Sequence, residues 1–244
     1  MWRIGPIETE KYNNVVASFL ADNEKFNNFK RQPFYTSVIG APDAIQMIAL
    51  VHEATNDLFI KEHLDALLEY DKFANPIIYD FPKMQISANL LRDIDTLRCI
   101  KNKFGDLDKL NIVEYGVGMC GLMYCINKLF NVKSYNIIDL PLVVTLAKKI
   151  ANVHGIQINE YTANDEIDLF VASYSLTEQD IDTVHQHTKN ILFKAKRAFI
   201  RSNFMRKEDR NKWLDLVKTK FEVVREREAG NTLACNEIFY LASK

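Results

Sequence analysis

The amino-acid sequence predicts an α/β protein in which a helical N-terminal cap precedes a mostly parallel, seven-stranded sheet closed by a C-terminal antiparallel hairpin. Three observations predict it. Beyond residue 110, apolar runs of strand length alternate with helical patterns, the order that stacks helices on both faces of a parallel sheet. The first such run, Asn111 to Tyr115, passes into the next helix through Gly116-Val117-Gly118-Met119-Cys120-Gly121, a glycine spacing suited to a sharp strand-to-helix turn. The last two runs, Phe221 to Arg227 and Leu233 to Ala242, are separated only by Glu228-Ala229-Gly230-Asn231-Thr232. That is too short for a crossover helix, so the two are expected to pair antiparallel.

Residues 8 to 31 carry Tyr12, Val15, Val16, Phe19, Leu20 and Phe26 mostly at helical spacing with polar residues between them, which is a one-faced helix. Helical patterns follow from Pro42 to Val51 and from Asp57 to Phe73, the latter with Ile60, Leu64, Leu67 and Leu68 inward. Phe34 to Ile39 is the strand signal in this stretch. Residues 1–85 therefore read as a helical cap and residues 86–244 as the sheet-bearing domain. The two prolines of Asn75-Pro76-Ile77-Ile78-Tyr79-Asp80-Phe81-Pro82 mark the passage between them. A helix fills Ser87 to Phe104, with Gly105 as its stop. Strand Asn111–Tyr115, helix Gly121–Phe130, strand Ser134–Asp139, helix Pro141–His154, and strands Ile156–Tyr161 and Ile167–Tyr174 come next. A helix from Thr177 to Lys194, strand Ala198–Phe204 and a helix from Lys207 to Lys220 lead into the hairpin.

Net charge is −1 over 244 residues and hydrophobic content is 48%, enough for a full core. Near-neutrality gives no broad positive field, so neither nucleic acid nor membrane is expected as a partner. Cys99, Cys120, Cys125 and Cys235 form no Cys-x-x-Cys pair and read as buried thiols of a reducing compartment rather than a zinc site. Met1 to Pro6 lack the apolar core of a signal peptide, and the expected location is cytoplasmic. Self-association into a homodimer is left open.

The glycine spelling is weak by itself, because dinucleotide-binding domains use it too. Its surroundings narrow it. Glu114 lies two residues before the first glycine, where a carboxylate would repel a pyrophosphate yet suits a ligand carrying ammonium and sulfonium groups. Gly121 lets the next helix pack closely on the strand, and Asp139, closing the next strand, can accept hydrogen bonds from both ribose hydroxyls of an adenosyl ligand.

Phe104-Gly105-Asp106-Leu107, Ile112 to Leu122, Tyr135-Asn136-Ile137-Ile138-Asp139-Leu140-Pro141 and Asp168 to Glu178 together resemble a class I S-adenosylmethionine-dependent methyltransferase, with wording nearest the sugar O-methyltransferases. The resemblance covers roughly residues 87 to 242 and implies a Rossmann-like fold with S-adenosyl-L-methionine as cofactor. It places Glu114, Gly116, Gly118 and Gly121 at the methionine portion, Asp139 and Leu140 at the ribose and adenine edge, Thr162 and Ala163 in the turn against the adenine, and Ser173 and Tyr174 facing the transferred methyl. The family tends toward Ile-Gly-Gly-Gly-Tyr-Gly-Gly where this chain has bulkier Val117 and Cys120. The implied acceptor is a small molecule or glycan, a sugar hydroxyl in the nearest relatives.

A sulfonium methyl is already electrophilic, so such a site must mainly align a nucleophile about 3 to 3.5 Å from it and remove a proton. Glu178, following the fourth core strand, is the expected base, with Tyr174 as an orienting phenol. Ser175-Leu176-Thr177-Glu178 also has the spacing of a helix capping box, in which Glu178 would instead bond a backbone amide. His52, His63, His154, His185 and His187 are the alternative bases, since an imidazole titrates near working pH, although each reads first as a surface or capping residue. Asn203 could bind a sugar hydroxyl or serve a turn. Phe34, Tyr35, Tyr79 and Phe81 could form a pyranose platform or belong to the core. No convergent acidic set for a metal is visible. Methylation of another small-molecule or protein acceptor, an NAD-linked oxidoreductase and a noncatalytic cofactor-binding subunit are the competing readings.

Overall fold

The computed structural model describes residues 6–33, 35, 42–231 and 236–244. The N-terminal stretch forms α1 (Pro6–Ala21), α2 (Asn23–Asn27), a 3-10 turn at Phe29–Arg31, α3 (Ala44–Asn56) and α4 (Leu58–Leu68). The single helix expected over residues 8 to 31 breaks at Asp22, whose side chain accepts from the amides of Glu24 and Lys25 and so starts a new helix. Of the strand expected at Phe34 to Ile39, all but Tyr35 lies outside the described residues. Between cap and sheet, β1 (Ile78–Phe81) and β2 (Met84–Ser87) form an antiparallel hairpin where the prolines pointed only to a linker. Pro82 stands in its turn, just past the paired residues.

Next come α5 (Ala88–Phe104), β3 (Asn111–Tyr115), α6 (Gly121–Leu129), β4 (Ser134–Ile138), α7 (Pro141–Val153), β5 (Asn159–Glu160) and β6 (Ile167–Ser173). Then α8 (Ile181–Asn190), β7 (Ala195–Asn203), α9 (Lys207–Val217), β8 (Phe221–Arg227) and β9 (Asn236–Ser243) complete the chain. The sheet runs β5-β4-β3-β6-β7-β9-β8. Its first five strands are parallel, and β9 lies antiparallel between β7 and β8. This is the Rossmann-like α/β architecture expected. β3 is buried at every position, as a central parallel strand covered on both faces must be.

Strand alternation sorts the two cores. Ile112, Tyr135 and Ile137 pack with α5, α6, α7 and the cap, and Val16, Phe19, Leu50 and Ile60 belong to the same cluster. Val113, Tyr115 and Phe170 pack with Val184 of α8 and Trp213 of α9 on the opposite face. α5 starts at Ser87, whose hydroxyl accepts from Leu90 N, and stops at Gly105 with φ of 81°. The helix expected over Thr177 to Lys194 begins only at Ile181, because Asp180 caps it by accepting from Thr183 N.

The cap is fastened by a buried cation. Lys30 is 2% exposed; its Nζ donates to Tyr70 O at 2.8 Å and stands 3.5 Å from the centre of the Tyr70 ring. Burial pulls its pKa down to about 8, against the opposing pull of Asp71. The folded value is below the unfolded one, so below pH 8 the folded state bears the full cost of the charge. Between pH 8 and 10 that cost is relieved, because only the folded form releases the proton. Buried Cys99, Cys120 and Cys125, pushed up by desolvation, act in the opposite direction. The signature therefore lies in a difference: wild type should gain about 2 kcal/mol relative to Lys30→Met between pH 8 and pH 10 in urea unfolding. A constant difference over that range would show the ammonium to be indifferent to its burial.

Candidate functional site

A cavity of about 460 Å³ opens at the C-terminal ends of β3, β4 and β6, roofed by α5 and by Tyr12 and Tyr35 of the cap. Open α/β sheets bind ligands at this end, where the connections on either side of β3 diverge to opposite faces.

The glycine loop forms its floor. Gly116 has φ of 79° and its amide donates to Ile138 O at 2.7 Å; a β-carbon there would overlap the Ser175 side chain. Gly118, with φ of 51°, faces open space, and its amide donates to Asp139 Oδ2 at 3.2 Å. Asp139 Oδ1 accepts from Leu140 N at 2.7 Å. Burial pushes Asp139 up to about 6, and the amides of Leu140, Gly118 and Val117 restrain the rise. The Tyr70 hydroxyl donates to Met119 O and ties the loop to the cap. Gly121 serves differently from expectation: a β-carbon there would strike the carboxylate of Asp93, so its smallness admits an acid from α5 rather than closing the helix onto the strand.

Four carboxylates line the cavity: Asp93, Glu114, Asp139 and Glu178. Desolvation is the first cause of the upward shift in each. Asp93 reaches about 7, with Arg92 opposing. Glu114 is driven well above the usual range although Tyr135 Oη donates to it at 2.7 Å. Glu178 is raised, with Asn203 and Arg92 opposing. Among the described lining residues, Arg92 is the one Arg or Lys side chain.

Of the residues singled out in the sequence, Glu114, Gly116, Gly118, Gly121, Asp139, Leu140, Ser173, Tyr174 and Glu178 all line this one cavity. Thr162 and Ala163 do not. The connection from β5 to β6 holds no helix, and it must descend at once across the sheet to reach the start of β6 on the far side of β4 and β3. Thr162 therefore borders a separate hollow with Asn111, Ser134 and Asn136 near the opposite strand ends, and Ala163 O accepts from Lys194 Nζ.

Glu178 does not form the capping box. Its Oε1 accepts from Asn203 Nδ2 at 2.9 Å, which aims the carboxyl and gives Asn203 a role other than a turn. Tyr174, at φ of 69°, donates its hydroxyl to Glu228 in the β8–β9 turn at 2.6 Å. Burial alone would raise Glu228, but Arg201, with the Tyr174 and Asn231 donors, holds it below the usual carboxylate range. Among the histidines, His187 lines the cavity, whereas His154 packs among Tyr70, Phe73 and Tyr124. Of the aromatic platform, Tyr35 reaches the cavity, Tyr79 is exposed and Phe34 lies outside the described residues.

Sequence reasoning missed Arg92, Asp93, Tyr115 and Glu228, and ranked His187 first as a surface or capping residue. A signal did exist for the α5 pair: Asn89, Arg92 and Asp93 share one face of a helix at i, i+3 and i+4, an interruption of the apolar stripe of Leu90, Leu91, Ile94 and Leu97. No group of three or more His, Cys, Asp or Glu side chains is arranged to hold a metal ion among the described residues. No described helix is long and apolar enough to cross a membrane.

No family model matches the chain, and no curated protein matches its sequence. Solved structures do resemble it. Magnesium protoporphyrin IX methyltransferase from Synechocystis PCC 6803, solved with bound S-adenosylmethionine, is 14% identical with a TM-score of 0.48, over 84% of this chain and 99% of that one. The mitomycin 7-O-methyltransferase MmcR is 14% identical with a TM-score of 0.45, over 85% and 75%. An rRNA methylase from Streptococcus thermophilus is 14% identical with a TM-score of 0.44, over 61% and 92%. The last overturns one expectation. Nucleic acid was set aside on a net charge near zero, yet an RNA methylase stands among the similar structures. Whole-chain charge averages over the surface and does not report the field at one cavity mouth.

Proposed function

We propose that the chain is an S-adenosylmethionine-dependent O-methyltransferase acting on a hydroxyl of a sugar, free, glycan-borne or nucleotide-linked. The observation that carries this reading is the convergence of a glycine loop, its partner Asp139, the buried Glu114 and the half-buried Asp93 on one cavity. The residues present suit the cofactor. Glu114 and Asp93 would hold its ammonium, Arg92 its carboxylate and Asp139 its ribose, while the open space at Gly118 would leave room for the sulfonium. With both acids pushed up by burial, a pyrophosphate would find no counter-charge in them, whereas a cationic ligand would favour their ionised form, which argues against a dinucleotide.

When bound, the cofactor would supply the electrophilic methyl. The chain's own work is orientation and proton removal. Glu178, held by Asn203 and raised by burial, is suited to accept the acceptor's hydroxyl proton near neutral pH. The Tyr174 O–H is engaged by Glu228, so its oxygen offers only lone pairs and would orient the acceptor by accepting from a second hydroxyl of the sugar. Support for a sugar comes from the Ile-Ile-Asp-Leu-Pro phrase and from Thr177, Gln179 and Asn203, which with Glu178 and the apolar Ile181, Phe204 and Met205 edge a small hollow of mixed polarity beside the main cavity.

Calorimetric titration with adenosylhomocysteine and with NAD, followed by a panel of sugar, nucleotide-sugar and glycan acceptors, tests this. Binding of adenosylhomocysteine, sugar methylation, and a fall in kcat of about 10²- to 10⁴-fold in Glu178→Gln at unchanged stability are expected. Preference for NAD would remove the reading altogether. Methylation of a different acceptor class would remove the sugar, and full turnover by Glu178→Gln would remove the base.

A further inference from the structure

Thr162 and Ala163 stand away from the cavity, so a purine bound there needs another wall. The cavity has two chemically different ends. On the α5 side of the sheet are Asn89, Arg92, Asp93 and Glu114, charged and suited to an amino-acid group. On the other side are Ile138, Tyr115 and His187, a slot of apolar surface edged by polar ring atoms. Asp139 lies between. A ligand that puts its zwitterionic end against Arg92 and Asp93 and its ribose on Asp139 has its base in the second half.

That half holds a built pair. Tyr115 Oη stands 2.6 Å from His187 Nδ1, with ring centres 5.4 Å apart. Burial lowers the imidazole pKa and pushes Tyr115 up to about 12, so the phenol keeps its proton and donates it to a neutral ring. Nδ1 is then the acceptor and Nε2 carries the hydrogen. No hydrogen bond reaches Nε2 among the described residues.

We propose that Tyr115 and His187 form the purine-reading wall of this cavity: Tyr115 fixes the imidazole tautomer, and His187 Nε2–H donates to a ring nitrogen of adenine. The proposal rests on the cofactor reading above and departs from the family resemblance, which gives the base to the 162–165 turn. The missing helix between β5 and β6 supplies the reason. With that connection drawn down across the sheet, α8 is the element left to reach over the ends of β3 and β4, and His187 is its residue on the cavity.

The test is calorimetric titration of adenosylhomocysteine into wild type, His187→Phe, His187→Gln and Tyr115→Phe, with thermal unfolding as the control for folding. Loss of one hydrogen bond in a ring of similar shape should raise Kd about tenfold in His187→Phe. His187→Gln retains an N–H near the Nε2 position and should stay within about threefold of wild type, and Tyr115→Phe should fall between the two. In ¹⁵N spectra His187 should show the Nε2–H tautomer in the free protein, and its Nε2 should shift more than that of His52, His63, His154 or His185 when adenosylhomocysteine is added. Wild-type affinity in His187→Phe, or an unmoved Nε2 resonance on binding, would overturn the purine wall while leaving the cofactor reading intact. Failure of wild type to bind adenosylhomocysteine at all would remove both.

Discussion

Arg201→Met should lower the unfolding free energy by about 3 to 5 kcal/mol, the usual consequence of removing one partner from a buried ion pair. Arg201 is fully buried in β7. Its Nη2 donates to Asp95 Oδ2 at 2.7 Å and its Nε lies 3.3 Å from Glu228 Oε1. Asp95 also receives Arg98, through Nε at 3.0 Å and Nη2 at 2.8 Å, and Arg98 reaches on to Glu53 of α3 at 3.1 Å. Glu228 in turn accepts from Tyr174 and from Asn231. One guanidinium thus joins the cap, α5, the sheet, the C-terminal hairpin and the tyrosine at the cavity wall. Without it, Asp95 retains Arg98, but Glu228 loses its largest stabilising charge and keeps the Tyr174 and Asn231 donors and the weaker pull of Arg92.

The pH dependence separates this account from a simple packing loss. In wild type Glu228 is held below its unfolded value, so its contribution is present above the unfolded pKa and is lost as pH falls through the folded one. In Arg201→Met, burial without the guanidinium raises Glu228 instead, and acidification then favours the folded state. The deficit measured by urea unfolding should therefore shrink between pH 7 and pH 4. A loss below 1 kcal/mol, or one that does not change with pH, would mean that the network does not hold the hairpin to the sheet.

Legibility in the sequence followed the range of the interactions. Glu114, Gly116, Gly118, Asp139, Tyr174 and Glu178 stand at or just beyond the ends of apolar runs, and the ends of parallel strands converge whatever the rest of the chain does; local pattern was enough to gather them. Thr162 and Ala163 were misplaced because their position depends on where β5 lies in the sheet. The strand order puts β5 at the edge and β6 across β4 and β3, so the loop had to turn away, and no local signal carries that. Arg92 and Asp93 left a trace in the interrupted apolar stripe of α5, but His187 and Glu228 reach the cavity or its wall from a helix and a turn distant in sequence, through packing that periodicity does not encode. The β1–β2 hairpin was hidden by Pro76 and Pro82, which break helices but are tolerated just outside a short strand pair. Glu178 illustrates a contest between local and tertiary partners: the capping-box spacing was present, but Asn203 took its carboxylate and Asp180 began the helix.

Gly116→Ala should abolish measurable adenosylhomocysteine binding, with Kd rising at least about 100-fold, and should destabilise the fold by about 2 to 5 kcal/mol. Two terms add. A β-carbon at φ of 79° costs about 1 to 2 kcal/mol, and this one also overlaps Ser175, an overpacking of about 1 to 3 kcal/mol. Ser175 cannot easily yield, because its hydroxyl is spent on Tyr115 O, one residue before the glycine. Relief must come from the loop, and the loop carries the amide of Gly118 that holds Asp139. Gly118→Ala makes the instructive contrast. Its β-carbon meets nothing within the protein, so stability should fall by about 1 kcal/mol while affinity still drops, since the added methyl occupies space left for the ligand. Ser175→Gly in the Gly116→Ala background removes the overlap but not the backbone strain, and a double-mutant cycle should return about half of the lost stability. If the cycle shows no coupling between positions 116 and 175, the close approach of the glycine loop to the β6 terminus is not what selects glycine there, and the geometry proposed for the cavity floor fails with it.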